Sequence, residues 1–363
     1  MKDRILFSPY KVGDLTFKNR IIMAPLTRSR ADNEGKVATP LMAEYYSQRS
    51  SAGMIISEGS QVSPMGVEYV NTPGIYSKEQ TNAWKQVTES VHSDGGKIFI
   101  QLWHVGRLSH PYFLNGKTPL APSAINPQHT IRTPEGNKPS VDPKEMTVAD
   151  IKEVINQFAT AASNAVRAGF DGVEIHSSNG YLLHQFFAPC SNIRNDEYGG
   201  SIENRTRIIF ELLDEMKKYI PENRIGLRLN PSSHDYHSMS IDKETLPTFD
   251  YMIDRLNDYD LAYLHLSEPF TDVTNVPFAE PNIAIRYRKI YNGTLMINKG
   301  FTAETGNRII EDGIADLVAY GVPFIANPDL VFRMQTNTEL ALSDKTKYYT
   351  TGPEGYTDYP KLG

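Results

Sequence analysis

The segment VEIHSSNGYLLHQF, residues 173–186, places an imidazole, a carboxamide and a phenol close together in the chain. These groups belong to His176, Asn179 and Tyr181, which follow a short apolar stretch typical of a buried β-strand. His176 and Asn179 can both donate a hydrogen bond to one substrate oxygen, and Tyr181 can supply a proton. Such donors would stabilise negative charge that develops on that oxygen. The alternative is a polar turn whose side chains satisfy only the backbone.

The bulk composition is that of an ordinary globular protein, with 363 residues of which 40% are hydrophobic and 22% are charged. A net charge of −6 gives no electrostatic reason to expect nucleic acid or a membrane surface as a partner. The single cysteine, Cys190, excludes an internal disulfide and a cysteine-held iron–sulfur cluster. The first residues lack the apolar core of a signal peptide, and no apolar run approaches the ~20 residues of a membrane span. These features predict a cytoplasmic protein.

Short runs rich in β-forming residues recur along the chain and alternate with amphipathic stretches. Several of the runs are apolar on successive residues, as expected for parallel strands buried on both faces. Eight strands are predicted, over residues 20–24, 54–58, 97–103, 172–176, 224–230, 262–267, 294–298 and 315–320. Because parallel strands need crossover helices, this alternation predicts an α/β fold, a (β/α)8 TIM barrel. A doubly wound sheet is the competing architecture.

The clearest helix has apolar side chains at helical spacing from Asp150 to Ala168, with Thr147 as its N-cap and Gly169 as its end. Further helices are predicted over residues 78–94, 201–221, 246–258 and 302–312. Between the third and fourth strands, the prolines of residues 104–146 exclude a long helix and predict an ordered excursion that caps the barrel mouth. No linker is recognisable, so residues 1–363 are predicted to form a single domain.

In such barrels the reactive residues lie where the strands end and the following loops begin. The loops after the seventh and eighth strands contain Lys299-Gly300 and Gly321-Val322, which suit a phosphate site made from backbone N–H groups. Deeper in the barrel, Gln101 could bind the pyrimidine edge of a flavin mononucleotide. Arg228 could oppose the negative charge of the reduced flavin ring.

Long segments of the chain resemble the Old Yellow Enzyme family of flavin-dependent ene-reductases, most closely its N-ethylmaleimide reductase-like branch. They run nearly end to end and include LFSPYKVGDLTFKNRIIMAPLTRSRA, EGSQVSPMGVEYVNTPGIYSKEQ, IFIQLWHVGR, DGVEIHSSNGYLLHQFFAPCSNIRNDEYGGSIENR and EGYTDYP. The resemblance implies noncovalent FMN in a TIM barrel, reduced by NADPH or NADH. It further implies hydride transfer to the β-carbon of a small electrophilic alkene, such as an enone, maleimide or nitroalkene. Members of this family are monomers or homodimers.

Roles for individual residues also follow from the resemblance. His176 and Asn179 would bind the substrate oxygen, and Tyr181 would give a proton to the α-carbon. The implied cofactor-binding residues are Pro25, Leu26, Thr27, Gly59, Gln101, His176, Arg228, Lys299, Gly300, Gly321 and Val322. The implied substrate-binding residues are Thr27, Tyr69, Trp103, His176, Asn179 and Tyr356.

Two departures from the family pattern stand in the sequence. Val322 occupies a position where this branch usually has arginine, so a charge-assisted phosphate contact worth ~1.5–3 kcal/mol is lost. We expect Lys299, in the adjacent loop, to compensate. His184 and Cys190 also differ from the residues common in relatives, and we expect structural consequences without new chemistry.

The sequence also permits a metal site and other functions. His234 and His237 could suggest a metal site, but no third ligand stands at a recognisable spacing, so no metal is predicted. A related amine dehydrogenase or 2,4-dienoyl-CoA reductase is disfavoured because the larger relatives of that type carry a cysteine cluster. A flavin- or phenol-binding protein with little turnover is the alternative function from another class. The physiological alkene and the choice between NADPH and NADH stay open.

Overall fold

The computed structural model describes residues 4–362. Eight parallel strands close into a barrel in which each strand pairs with the next along the chain. They are Ile21–Met23 (β1), Met54–Gln61 (β2), Ile98–Trp103 (β3), Gly172–His176 (β4), Ile225–Leu229 (β5), Tyr263–Ser267 (β6), Leu295–Asn298 (β7) and Leu317–Tyr320 (β8). Tyr320 on β8 pairs with Met23 on β1, which closes the barrel. The predicted (β/α)8 fold is confirmed, and the doubly wound sheet is excluded.

Helices follow the strands around the barrel. They are Pro40–Ser47 (α1), Lys78–Ser93 (α2), Val148–Arg167 (α3), Leu182–Phe187 (α4), Ile202–Met216 (α5), Thr245–Arg255 (α6), Ile283–Arg288 (α7), Ala303–Glu311 (α8), Val322–Ala326 (α9) and Leu330–Thr336 (α10). As predicted, Thr147 caps α3 through a reciprocal pair of hydrogen bonds with Asp150. Helix α5 ends at Met216 rather than at Pro221, since the backbone turns there and Tyr219 N donates to Met216 O at 2.9 Å. None of the described helices is long and apolar enough to cross a membrane.

The core lies on both sides of the barrel wall, because every residue of β3, β4, β5 and β6 is buried. Near the amino-terminal ends of the strands, large apolar side chains fill the barrel interior, including Phe99, Tyr263 and Met296. An antiparallel hairpin, Tyr10–Val12 with Leu15–Phe17, packs against this group. The carboxyl ends of the strands therefore remain as the place for polar side chains.

Residues 104–146 contain short strands and a single-turn 3-10 helix but no α-helix, since proline recurs along them. The segment is held against the loops that follow β4 and β5. Arg107 Nη2 donates to Ser238 O at 3.2 Å, and Arg194 Nη1 donates to Pro122 O at 2.7 Å. These contacts give the excursion a fixed position beside the carboxyl ends of the strands.

Candidate active site

A cavity of about 710 Å³ opens at the carboxyl ends of the barrel strands. Most of its walls come from the residues that the sequence singled out, although these are spread from Pro25 to Val322 in the chain. The predicted site residues that line it are Pro25, Leu26, Thr27, Gly59, Tyr69, Gln101, Trp103, His176, Asn179, Tyr181, Arg228, Lys299, Gly300, Gly321 and Val322. The barrel brings them together because every parallel strand ends at the same rim.

Glu174 on β4 is a buried carboxylate that fixes the orientation of Gln101. It accepts hydrogen bonds from Gln101 Nε2 at 2.8 Å and from His265 Nδ1 at 2.7 Å. Burial acts to raise the pKa of Glu174, but the contact with His265 and the charge of Arg228 outweigh burial and lower it. The carboxylate is therefore ionised at neutral pH. This contact fixes which way the amide of Gln101 points, and its carbonyl oxygen is then placed to accept a hydrogen bond in the cavity.

Arg228 on β5 brings a buried positive charge to the cavity wall. Its side chain is only 6% exposed, and its Nε has no hydrogen-bond partner among residues 4–362. Leaving a buried donor unpaired is costly. The arrangement suits a bound group that presents hydrogen-bond acceptors or negative charge to Arg228, as the pyrimidine part of a flavin does.

His176 ends β4 and is almost fully buried. Its Nδ1 lies 3.1 Å from Ser178 Oγ, and the indole of Trp103 stands nearly parallel to its ring at a centroid distance of 6.4 Å. Burial, followed by the charge of Arg228, holds the pKa of His176 well below its ordinary value of 6.5. The imidazole is therefore neutral at pH 7, with one nitrogen as donor and the other as acceptor.

Asn179 sits in a tight turn after β4, where its backbone adopts a left-handed conformation with φ of +59°. Its Oδ1 accepts from Asn230 Nδ2 at 3.2 Å, so its own amide nitrogen remains available as a donor. His237 Nδ1 donates to the carbonyl oxygen of Asn179 at 2.8 Å, and burial lowers the pKa of His237 to about 4. His184 Nδ1 accepts from Gly180 N at 3.1 Å. The turn is thus fixed from several sides.

Tyr181 immediately precedes α4, and its ring is only 6% exposed. The ring meets Trp103 edge to face at a centroid distance of 5.1 Å and lies 5.0 Å from the ring of His176. Burial, and next the carboxylate of Glu68, raises the pKa of Tyr181 well above its ordinary value of 10.0. Its phenol is therefore protonated at neutral pH.

Aromatic side chains from distant loops complete the cavity wall. Tyr69 stacks between Trp103 at 6.0 Å and Tyr349 at 6.3 Å. On another part of the wall, Tyr236 stacks on Phe270 at 5.3 Å. Among the lining aromatics that sequence reasoning missed are four on loops, namely Tyr236, Phe270, Tyr348 and Tyr349. Their positions depend on the paths of long loops, for which the sequence carries no periodic signal.

Tyr356, predicted as a substrate-cavity residue, does not line the cavity. Its ring is fully buried and stacks on Tyr45 at 3.9 Å, with the guanidinium groups of Arg28 and Arg30 over it at 5.1 Å and 4.6 Å. These arginines also donate to backbone carbonyls of the C-terminal segment, including Tyr348 O. Tyr356 therefore helps anchor the segment whose other tyrosines reach the cavity.

Comparison with known proteins gives the family. A model of the NADH:flavin oxidoreductase / NADH oxidase family matches residues 5–341. The chain belongs to this family, which is that of Old Yellow Enzyme. It is therefore a flavin oxidoreductase.

Individual members of the Old Yellow Enzyme family align over almost the whole chain. The 12-oxophytodienoate reductase 1 of Oryza sativa subsp. japonica is 40% identical over 361 residues, which cover 98% of this chain and 93% of the relative. The solved Old Yellow Enzyme homologue from Zymomonas mobilis, NCR, has a TM-score of 0.93 and 39% identity, covering 98% of this chain and 99% of its own. Morphinone reductase in complex with tetrahydroNAD has a TM-score of 0.91 and 38% identity, covering 99% of this chain and 98% of its own.

The loops after β7 and β8 differ from the rest of the site in this member of the Old Yellow Enzyme family. Lys299 and Gly300 have left-handed backbones, with φ of +88° and +83°, and both are exposed. The amino group of Lys299 lies 4.9 Å from the ring centroid of Phe270. Val322 begins α9 and is 54% exposed. The end of the cavity formed by these two loops has glycines and one exposed lysine. At the end formed by β4 and β5, neighbouring residues hold the side chains in place.

Proposed function

We propose that the chain is an NAD(P)H-dependent ene-reductase with noncovalently bound FMN, which reduces the C=C bond of enones, maleimides and nitroalkenes. The observation that carries this proposal is the convergence of His176, Asn179 and Tyr181 on a cavity whose wall also holds the unpaired Nε of buried Arg228. The bound FMN would supply the hydride that reaches the β-carbon of the alkene. The solved complex of morphinone reductase with tetrahydroNAD supports a nicotinamide as reductant.

The residues that would hold FMN lie along one side of the cavity. Gln101 would accept from the pyrimidine edge through its carbonyl oxygen, since the bond from its amide nitrogen to Glu174 fixes the orientation of the amide. Arg228 would donate to the same part of the ring system and oppose negative charge there. Gly300 and Gly321 would allow the phosphate close to the backbone, with Lys299 as the nearby cation. Pro25, Leu26, Thr27 and Gly59 would contact the ring and the ribityl chain.

The substrate oxygen would be held by His176 and Asn179. When the Ser178 hydroxyl donates to Nδ1 of His176, the ring proton stands on Nε2 and can be donated to the substrate. Asn179 keeps its amide nitrogen for the same purpose because Asn230 occupies its Oδ1. As the β-carbon gains a hydride, negative charge grows on the substrate oxygen, and both donors bind it more strongly in the transition state than in the ground state.

The α-carbon would receive its proton from Tyr181. This phenol remains protonated at neutral pH and is held in the wall by the rings of Trp103 and His176. A positioned acid of this kind contributes on the order of a hundred- to ten-thousandfold to a rate.

A single spectroscopic experiment tests the activity. The purified chain loaded with FMN is reduced under anaerobic conditions with NADPH, and cyclohexenone is then added. The proposal predicts that the flavin absorbance is lost, that cyclohexenone restores it, and that one cyclohexanone forms for each nicotinamide oxidised. Loss of absorbance without restoration by any enone, maleimide or nitroalkene would instead favour a flavin-binding protein with little turnover. A parallel run with NADH decides the preferred nicotinamide.

A further inference from the structure

We propose that Glu68, His129 and His237 form a binding site for a divalent transition-metal ion such as Zn²⁺. One ring nitrogen of each histidine and one carboxylate oxygen of Glu68 all lie within 4.8 Å of one another. The three residues come from separate parts of the chain: the segment after β2, the excursion after β3, and the loop after β5. No further ligand stands near His237 at a recognisable spacing in the sequence, but the fold brings Glu68 and His129 next to it.

The ligand types identify the class of ion. Two imidazoles and one carboxylate are a known set for Zn²⁺, which then keeps an open fourth position. Mg²⁺ and Ca²⁺ prefer oxygen ligands and would bind such a set poorly. In a tetrahedral Zn²⁺ site the ligand atoms stand about 3.3 Å apart, so these side chains must approach one another by at most about 1.5 Å. Side-chain rotation can supply a movement of that size.

Glu68 provides the independent sign that a ligand belongs here. Its side chain is only 5% exposed, and its Oε2 has no hydrogen-bond partner among the described residues. Burial raises the pKa of Glu68 to about 8, against the opposing effect of the Tyr181 and Tyr69 side chains, and Oε2 still lacks a close partner. A buried carboxyl oxygen is costly to leave unpaired, and a bound metal ion would take the place of the proton. A metal ion bound between the three side chains would satisfy this oxygen.

One ring nitrogen of His237 is hydrogen-bonded in the way that is common for metal-binding histidines. Its Nδ1 lies 2.8 Å from the carbonyl oxygen of Asn179, to which it donates, so Nε2 carries the lone pair. A backbone carbonyl that accepts from the second ring nitrogen commonly fixes the ring of a metal ligand. The loop holds this position at some cost, since Asp235, His237 and Ser238 all have φ between +49° and +60°.

His129 lies in the excursion after β3, and hydrogen bonds hold its backbone in place. The backbone N–H of His129 donates to Ser140 Oγ at 2.9 Å, and the backbone N–H of Ser140 donates to the backbone carbonyl oxygen of His129 at 2.8 Å. Its ring centroid lies 5.3 Å from that of His237, with the two planes inclined by 69°. The two imidazoles therefore approach edge to face and are not stacked.

Zinc binding to the FMN-loaded chain, prepared without a polyhistidine tag, tests the proposal. Isothermal titration calorimetry and equilibrium dialysis with ZnCl₂ should find one ion bound per chain. His129→Gln removes a ligand on a partly exposed hairpin and should weaken binding at least ~100-fold, because loss of even a supporting partner of a metal ligand typically costs ten- to a hundredfold. A thousandfold excess of Mg²⁺ should not displace the zinc.

Two matched variants control for the general affinity of histidines for zinc. His110→Gln lies in the same excursion as His129, and His234→Gln lies in the same loop as His237, but neither ring belongs to the cluster. Both should bind zinc as the unmodified chain does. Should His129→Gln fail to retain FMN, Glu68→Gln tests the same site. The proposal is overturned if the unmodified chain takes up no zinc, if the cluster variants bind it normally, or if the control variants lose it equally.

Discussion

The two ends of the cavity are built in different ways. At the end formed by β4 and β5, His176, Asn179 and Arg228 are 5%, 9% and 6% exposed, and neighbouring side chains hold them in place. At the end formed by the loops after β7 and β8, Lys299 and Gly300 are exposed and Val322 is 54% exposed. Burial strengthens electrostatic interactions, whereas water screens them at an exposed end. The buried end can therefore control chemistry, and the exposed end can contribute mainly affinity for the cofactor.

The largest effect is expected from Tyr181→Phe at the buried end. Removing the phenol removes the proposed proton source but leaves the aromatic ring in the wall. The rate at which cyclohexenone restores the flavin absorbance should fall by about a hundred- to ten-thousandfold. Bleaching by NADPH should stay near the wild-type rate, and anaerobic stopped-flow spectroscopy measures both phases. An unchanged rate with cyclohexenone would remove Tyr181 from the proposed role.

The next effect is expected from His176→Ala, which removes one of the two donors to the substrate oxygen. Loss of one such donor costs about 2.7–4 kcal/mol, so the same restoring phase should slow by roughly a hundred- to a thousandfold. Lys299→Ala serves as the contrast, because it changes the exposed end and should leave this phase at the wild-type rate. If His176→Ala and Lys299→Ala slowed this phase equally, the two ends of the cavity would not differ in their effect on the chemistry.

A smaller effect is expected from Glu174→Gln, which acts through the orientation of Gln101. The substitution removes the buried charge that faces Arg228 and replaces one of the two oxygens that accept from Gln101 Nε2 and His265 Nδ1 with an amide nitrogen. A hydrogen bond to a charged group is worth about 1.5–3 kcal/mol, so the dissociation constant of FMN should rise by roughly ten- to a hundredfold. Fluorescence of released FMN measures it. Glu211→Gln, on the surface helix α5, should leave FMN affinity unchanged.

The smallest effect is expected from Lys299→Ala at the exposed end. A screened surface charge is worth at most about 1 kcal/mol, so FMN should bind roughly two- to fivefold more weakly. Val322→Arg should shift the affinity in the opposite direction by adding a cation beside the same loops. The control is Lys289→Ala, another exposed lysine. If Lys299→Ala releases no more FMN than that control, Lys299 does not compensate for Val322.

The sequence predicts the residues at the buried end of the cavity better than the aromatic residues that complete the cavity wall. The alternation of strands and helices specifies a barrel, and the barrel rim then brings together side chains such as Thr27, Gln101 and His176 without further information. Glu174 could have been found, since a carboxylate between Val173 and Ile175 in a buried strand needs a partner. Its partners, Gln101 and His265, become known only when the strands are in register.

Loop paths account for what the sequence did not predict. Tyr348 and Tyr349 reach the cavity because Arg28 and Arg30 bind backbone carbonyls far along the chain. The same two arginines cover the ring of Tyr356 and keep it out of the cavity. Tyrosines of one segment thus take different positions, since Tyr348 and Tyr349 line the cavity and Tyr356 is packed away from it. Only the tertiary contacts distinguish them. The grouping of Glu68, His129 and His237 arises in the same way.

The fate of hydrogen in the product tests the central claim most directly. The FMN-loaded chain is given NADPH and cyclohexenone in D₂O, and the cyclohexanone is analysed by NMR at early times, before its α-hydrogens exchange with solvent. The account predicts one deuterium at the α-carbon, from the exchangeable phenol of Tyr181, and only hydrogen at the β-carbon. Deuterium incorporated from solvent at the β-carbon, or an α-carbon without deuterium, would contradict it.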